Sequence, residues 1–362
     1  MGVEFIGTAR TADSSEAVTE VGPAVQPDYL HRLVLAHERS GFDRVLVTHS
    51  SSEPDGFVVA DQVLSVTTGL GVLLAHRPGF ITPTLAARKL ATLDALHPGR
   101  VALHIVTGGD DADQARDGDF AGKADRYRRT AEFLDILRLG WGCAEPFSYE
   151  GEFYRVRNAW SAIRPPAGRL AVYFGGASAE AVRVGSERAD VYAFWGEPLA
   201  GIRERIGQVQ AAAAAAGRQL DRFAVSIRPV VAGTEAAAWH RARQLQELAR
   251  ERAARSGRAT GEPQAEGSRR LLRYAAAGEI HDARLWTGLA TAAGPPRDST
   301  ALVGSYEQVA EALLGYVRAG ASTLVIRGYE PLADATAFGG LIELVHETAG
   351  DDLDHYRART AA

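Results

Sequence analysis

The chain has 362 residues, 46% of them hydrophobic and 23% charged, with a formal net charge of −5. That composition suits a globular chain able to bury a full core, and it offers no basic field for nucleic acid or an anionic membrane. Its single cysteine, Cys143, excludes an internal disulfide and a cysteine-rich zinc site. The opening MGVEFIGTARTADSS is too polar for a signal peptide. No apolar run approaches the roughly 20 residues that span a bilayer. A cytoplasmic protein with neither nucleic acid nor membrane as partner is therefore expected.

Short apolar runs alternate along the chain with segments of helical periodicity. VEFIG near Val3 precedes PDYLHRLVLAHERSGF, and RVLVT lies near Val45. LGVLLA, ending at Ala75, leads through a Pro-Gly turn into PTLAARKLATLDAL, where Pro83 suits a first helical turn. RVALHIV ends at Val106, and DRYRRTAEFLDILRLG follows with Asp125 as its expected N-cap. LAVYFG ends at Gly175 and is followed by SAEAVRVGSERA, capped by Ser178. VYAFW ends at Trp195 before AGIRERIGQVQAAAAAAG. FAVSIRPVV starts at Phe223, SYEQVAEALLGYVRAG is capped by Ser305, and STLVIR ends at Arg327. Eight strands alternating with helices predict an α/β fold, a (β/α)8 TIM barrel rather than an open sheet, as one domain over 1–362. Two segments exceed a minimal barrel. Residues about 145–166 alternate aromatics around Glu150-Gly151 and read as a β-hairpin. Residues about 253–297, rich in Arg, Gly, Ala and Ser, read either as a solvated loop or as a mobile lid.

In such a barrel the chemistry gathers at the carboxyl ends of the strands. Those ends supply Thr8 and Arg10, His49 to Glu53, His76 and Arg77, and His104 and Thr107. They also supply Gly175 to Ser178, Trp195 with Glu197, Arg228 and Tyr329. No HxH, HExxH or DxD cluster provides a metal cage, so no metal is expected. No GxSxG elbow is present, and paired glycosidase carboxylates are missing. YFGGASAEAVRV sets Gly175 and Gly176 between a strand and a helix, where bare backbone and free N–H groups favour a phosphate. The same pair also serves as an ordinary tight turn. Tyr127, heading the fourth helix, either reaches that anion or packs in the core.

The motifs PTLAARKLATLD, ALHIVTGGD, ADRYRRTAEF, YFGGASAEA, YAFWGEP, TALVGSYEQVAE and RGYEPLADA occur in one order across nearly the whole chain. In that order they resemble the bacterial luciferase-like flavin-dependent monooxygenases, most closely the alkanesulfonate monooxygenase branch. The resemblance implies reduced FMN delivered by a separate NAD(P)H:FMN reductase, O2 as co-substrate, and cleavage of a small anionic organosulfonate to an aldehyde and sulfite. It implies a homodimer or homotetramer. It places the cofactor at Ala75, His76, His104, Thr107, Tyr127, Gly176, Ala177 and Ser178. It places catalysis and substrate binding at Arg228, Tyr329, Arg297, Trp195 and Glu53. Arg269, Arg270 and Arg297 on the lid either clamp an anion or stay solvated, Phe57 would add an apolar wall, and Trp286 either adds another or packs in the barrel.

Three positions depart from the sulfonate branch. Glu53 stands where the branch has a cysteine, Val230 where it has a histidine beyond the strand-seven arginine, and Ala9, beside Arg10, where it has another histidine. A carboxylate at 53 would repel a sulfonate or pair with Arg228. Another organic substrate, an oxidoreductase using the deazaflavin F420, and a non-catalytic flavin-binding protein are the alternatives that share the fold.

Overall fold

The computed structural model describes residues 2–255, 263–292 and 300–360, the stretch 350–360 by its backbone only. In chain order the elements are β1 (Glu4–Ala9), α1 (Pro27–Arg39), β2 (Arg44–Val47), α2 (Gly56–Val66), β3 (Gly71–His76), α3 (Pro83–Leu96) and β4 (Val101–Ile105). Next come α4 (Asp111–Arg116), α5 (Lys123–Gly142), β5 (Phe147–Glu150), β6 (Arg155–Ala159), β7 (Ala171–Gly175), α6 (Ala179–Arg188), β8 (Val191–Trp195) and α7 (Leu199–Ala215). The remainder are β9 (Phe223–Ala232), α8 (Glu235–Arg255), α9 (Glu266–Ala277), β10 (Ile280–His281), β11 (Leu285–Trp286), α10 (Gly288–Ala292), β12 (Ala301–Ser305), α11 (Tyr306–Arg318), β13 (Thr323–Ile326) and α12 (Pro331–Thr360). The main sheet runs β9-β13-β1-β2-β3-β4-β7-β8, and a further β8–β9 pairing closes it. This is the expected (β/α)8 barrel, whose eight strands are the eight apolar runs.

Contacts divide the chain into two units. The first holds Met1–Val45, Ala193–Gln208 and Asp221–Ala362, and the second Leu46–Tyr192 and Val209–Leu220. In the second unit β3 is buried at every residue, as the unbroken apolar run GVLLAH requires of a strand covered on both faces. Pro83 sits in the first turn of α3, where a missing N–H costs nothing. Asp94, in the last turn of that helix, accepts from the Gly99 N–H at 3.1 Å and so shapes the short turn into β4. Ser178 caps α6 through Ala181 N. Asp125, however, is not a cap. The N-cap of α5 is Gly122, and Asp125 lies in the first turn, where a carboxylate still favours the positive helix end. The hairpin is tighter than expected, β5 with β6, and the Glu132 carboxylate holds its tip by accepting from the N–H groups of Glu152, Phe153 and Tyr154.

In the first unit, Ser305 forms a full capping box with Gln308. The segment expected as a loop at 253–297 is ordered in most of its described residues: the end of α8, then α9, the β10–β11 hairpin and α10. β11 pairs with β12, and β12 runs parallel to the far half of β9. Trp286 takes the second of its two expected places, fully buried in a core cluster with Leu245, Leu289 and Val303.

Candidate functional site

Strand register sorts the candidate residues by face. In the second unit, Ala75 pairs with His104 and His104 with Tyr173, so these three share one face. His76, Ile105 and Phe174 form the next row and point the opposite way. The His76 ring stacks on Phe133 of α5 at 5.2 Å and meets Phe57 of α2 edge-on at 5.9 Å. The side chain expected at the cofactor therefore lies in the helix layer, and only the backbone of His76 is left for a ligand. Phe57, expected as a pocket wall, belongs to that same layer, with Lys89 Nζ 4.1 Å over its ring.

His104 is on the opposite face. Burial pushes its pKa down to about 4, so the ring is neutral, and its Nδ1 has no hydrogen-bond partner. Thr107 Oγ1, just past β4, is likewise buried without a partner. Buried polar atoms are rarely left unmade, and these two sit where a polar ligand was expected. Burial raises the Tyr127 phenol above its usual range, while the nearby Ser178 and Thr107 hydroxyls act the other way. A side chain at Gly176 would place Cβ 2.5 Å from Ala181 Cβ and 3.4 Å from the Tyr127 hydroxyl. Gly176 therefore has no room for a side chain: its backbone, with Ala177 and the capping Ser178, passes close to Tyr127 at the amino end of α6. Glu53 lies elsewhere in this unit and accepts from the Thr48 hydroxyl at 2.9 Å.

One group here went unassigned at the sequence level. Arg77, 7% exposed, forms an ion pair with Asp113, which also accepts from Ser51 N and Oγ. Its Nε and Nη1 have no partner. His49 lies beside it, its ring stacked on Phe80 at 6.3 Å, and its pKa is lowered by burial first and by Arg77 second.

In the first unit, Phe5 pairs with Leu324, and Leu324 with Val225, on the helix-facing side, where Phe5 meets His346 of α12. Ile6, Val325 and Ser226 form the row facing the other way. Two residues further along each strand, on that same face, come Thr8, Arg327 and Arg228. Arg228 does not end its strand, because β9 continues to Ala232. Nor does it rely on Glu53 for a counter-charge. Its Nη1 and Nη2 each donate to a Glu16 carboxylate oxygen at 2.7 Å, and its guanidinium lies 4.6 Å from the centroid of the buried Tyr329 ring. Val230 is fully buried against Ala238 and Ala242 of α8 and fills with methyl groups the place where the related branch has a histidine.

Trp195 closes β8, and Gly267 of α9 rests on its indole: a Cβ there would lie 2.8 Å from two ring carbons. Two residues on, Glu197 is 4% exposed and takes a fork of bonds from Arg270 at 2.7 and 2.6 Å. Arg269 pairs with Glu266 of its own helix. These two arginines, expected to clamp a ligand, are thus held by carboxylates, and Arg297 lies outside the described residues. Because removing one partner of a buried pair strands the other charge, Arg270→Ala should cost about 3–5 kcal/mol. Leu at both 197 and 270 should cost far less. Urea midpoints test this, and a single-mutant loss below about 1 kcal/mol, the size of an exposed pair, would refute the buried-latch account.

Among the described residues no group of His, Cys, Asp and Glu is placed to hold a metal, and no helix is long and apolar enough to cross a membrane.

The family model for luciferase-like monooxygenases matches residues 4–323, and the chain belongs to that family. Solved structures resemble it at low identity. A riboflavin lyase, determined with modified FMN and its substrate riboflavin, is 18% identical, with a TM-score of 0.79 over 96% of this chain and 92% of that one. An EDTA monooxygenase from Chelativorans sp. BNC1 is 17% identical, with a TM-score of 0.74 over 97% and 95%. An F420-dependent secondary alcohol dehydrogenase is 15% identical, with a TM-score of 0.69 over 95% and 99%.

Proposed function

We propose that the chain is the oxygenase of a two-component system, oxygenating a small organic substrate with O2 and with reduced FMN supplied by a separate NAD(P)H-dependent reductase. The carrying observation is the second unit's wall, where bare backbone at Gly176 adjoins Tyr127 and Ser178 and two buried polar atoms, His104 Nδ1 and Thr107 Oγ1, await partners. These residues fit a phosphorylated flavin. Reduced FMN, when bound, supplies the electrons that activate O2. The N–H groups at the start of α6, with the Ser178, Tyr127 and Thr107 hydroxyls, hold its phosphate and ribityl oxygens. Ala75 gives a flat, small surface, the His76 backbone borders it, and the neutral His104 presents a nitrogen without adding charge. In the first unit Trp195 offers aromatic surface to the substrate, and Arg228 with the Tyr329 ring beneath it is a further candidate for substrate contact. Arg297 and Glu53 are further candidates for substrate contact, and the working form is a homodimer or homotetramer.

Cleavage of an organosulfonate to an aldehyde and sulfite is the second reading, resting on the motif resemblance to the sulfonate branch. Three assays separate the possibilities. Fluorescence titration should show FMN binding; tight F420 binding without FMN binding would defeat the proposal. O2 uptake with FMN, NADH and a reductase should rise with a substrate, whereas a purely flavin-sequestering protein would show no substrate-dependent uptake. Sulfite release over a panel of organosulfonates decides the second reading.

A further inference from the structure

We infer that Glu16 is a built-in occupant of the Arg228 fork and sets specificity there, so that the substrate carries no anionic group at this point. The inference rests on the oxygenase reading for the word substrate alone; the binding site itself stands on geometry. Both carboxylate oxygens are engaged at 2.7 Å, and the side chains of Arg228 and Glu16 are only 3% and 11% exposed. This is the planar two-pronged match that guanidinium makes with carboxylate, and a sulfonate would need the same two N–H groups.

The loop that carries Glu16 is fastened on both sides. Ser15 Oγ donates to the Tyr329 carbonyl and accepts from Ala17 N and Val18 N at 3.0 and 2.9 Å. Arg252 of α8 donates to the carbonyls of Ser15 and Val18, and Tyr29 donates to Asp13 at 3.0 Å. Glu16 is thus placed by its neighbours rather than drawn in by Arg228 alone. An incoming sulfonate or carboxylate would have to evict it and leave a second negative charge beside itself in a poorly hydrated place. Among the described residues the cavity here is lined by Arg10, Arg228 and Arg327 with Glu16 as the carboxylate, and by Thr8 and Ser14. Removing that carboxylate offers the two N–H groups of the Arg228 fork to an incoming anion.

Calorimetric titration of the full chain with sodium methanesulfonate tests this without flavin or turnover. The wild type should show no saturable binding. Glu16→Ala should bind methanesulfonate saturably, at least about tenfold tighter than the weakest binding the titration would register for the wild type, the yield of one charge-assisted contact. It should also be stabilised against heat by methanesulfonate, and Glu16→Ala/Arg228→Ala should lose both effects. Glu16→Gln, which keeps the volume, should gain less and serves in place of Glu16→Ala if that variant does not fold. Saturable binding by the wild type that disappears in Arg228→Ala overturns the inference, as does a folded Glu16 variant that gains no affinity. An absence of FMN binding would defeat the oxygenase reading and leave these titrations interpretable.

Discussion

Lowering the pH from 7 to 5 is expected to remove about 5–6 kcal/mol of folding stability through three buried histidines. Burial holds His37 and His104 at about 4 and His76 at about 3, against an ordinary value of 6.5. Each folded-state value is depressed, so between these values and 6.5 the unfolded chain binds more protons than the folded one. Stability therefore rises with pH through that window and falls as pH drops below 6.5, by about 2 kcal/mol per histidine at pH 5. Typical domains hold about 5–15 kcal/mol in reserve, so acid unfolding should set in near pH 5. His76 is the cleanest test, because its ring is seated on Phe133 and Phe57 and its Nε2 has no hydrogen-bond partner. His76→Phe should flatten the pH dependence by about a third and leave stability at pH 7 within about 1.5 kcal/mol, as volume-conserving apolar swaps do. Urea melts at pH 5, 6 and 7 decide it. An unchanged slope in His76→Phe would mean that this ring is already protonated or hydrated in the folded state.

The eight strands were legible because each is a short apolar run between helical periods, and a run buried on both faces cannot be mistaken for a loop. Ser178 and Ser305 were legible as caps because a cap acts on a residue three positions away. The partner of Arg228 was not, since Glu16 lies 212 residues away in an irregular loop with no motif. The Glu197–Arg270 pair spans 73 residues: both were marked, Glu197 at a strand end and Arg270 as a clamp for a ligand, but not as each other's partner. The orientation of His76 was within reach: side chains alternate along a strand, so Ala75 and His76 cannot both face one ligand. The order in α9 was also within reach. Its Arg, Leu and Ala are good helix formers, and Glu266 meets Arg269 and Arg273 at helical spacings. The abundance of Arg and Gly in the flanking sequence obscured that signal.

Replacing Gly176 should abolish flavin binding in practice, with a loss of about a hundredfold or more in FMN affinity, and the cause can be separated from misfolding. The Cβ of Gly176→Ala would lie 2.5 Å from Ala181 Cβ, so α6 or the strand end must shift. Overpacking of that kind costs about 1–3 kcal/mol of stability. It also puts a methyl group 3.4 Å from the Tyr127 hydroxyl, on the surface where the phosphate is expected. Two or more charge-assisted hydrogen bonds at about 1.5–3 kcal/mol each are then lost or lengthened, which sets the hundredfold scale. The atom that clashes most is a single methyl, so Ala181→Gly should relieve the steric strain. In Gly176→Ala/Ala181→Gly the melting temperature should recover in part: the packing clash is gone, while the strain of an alanine at φ +157° and the helix cost of the new glycine, up to about 1 kcal/mol, remain. The flavin affinity should not return, because the new methyl still covers the backbone N–H groups. FMN fluorescence titration beside thermal melts of the three variants gives both quantities. If the double variant recovers FMN binding along with stability, Gly176 serves only the packing of α6 against the strand end, and the phosphate must be held elsewhere.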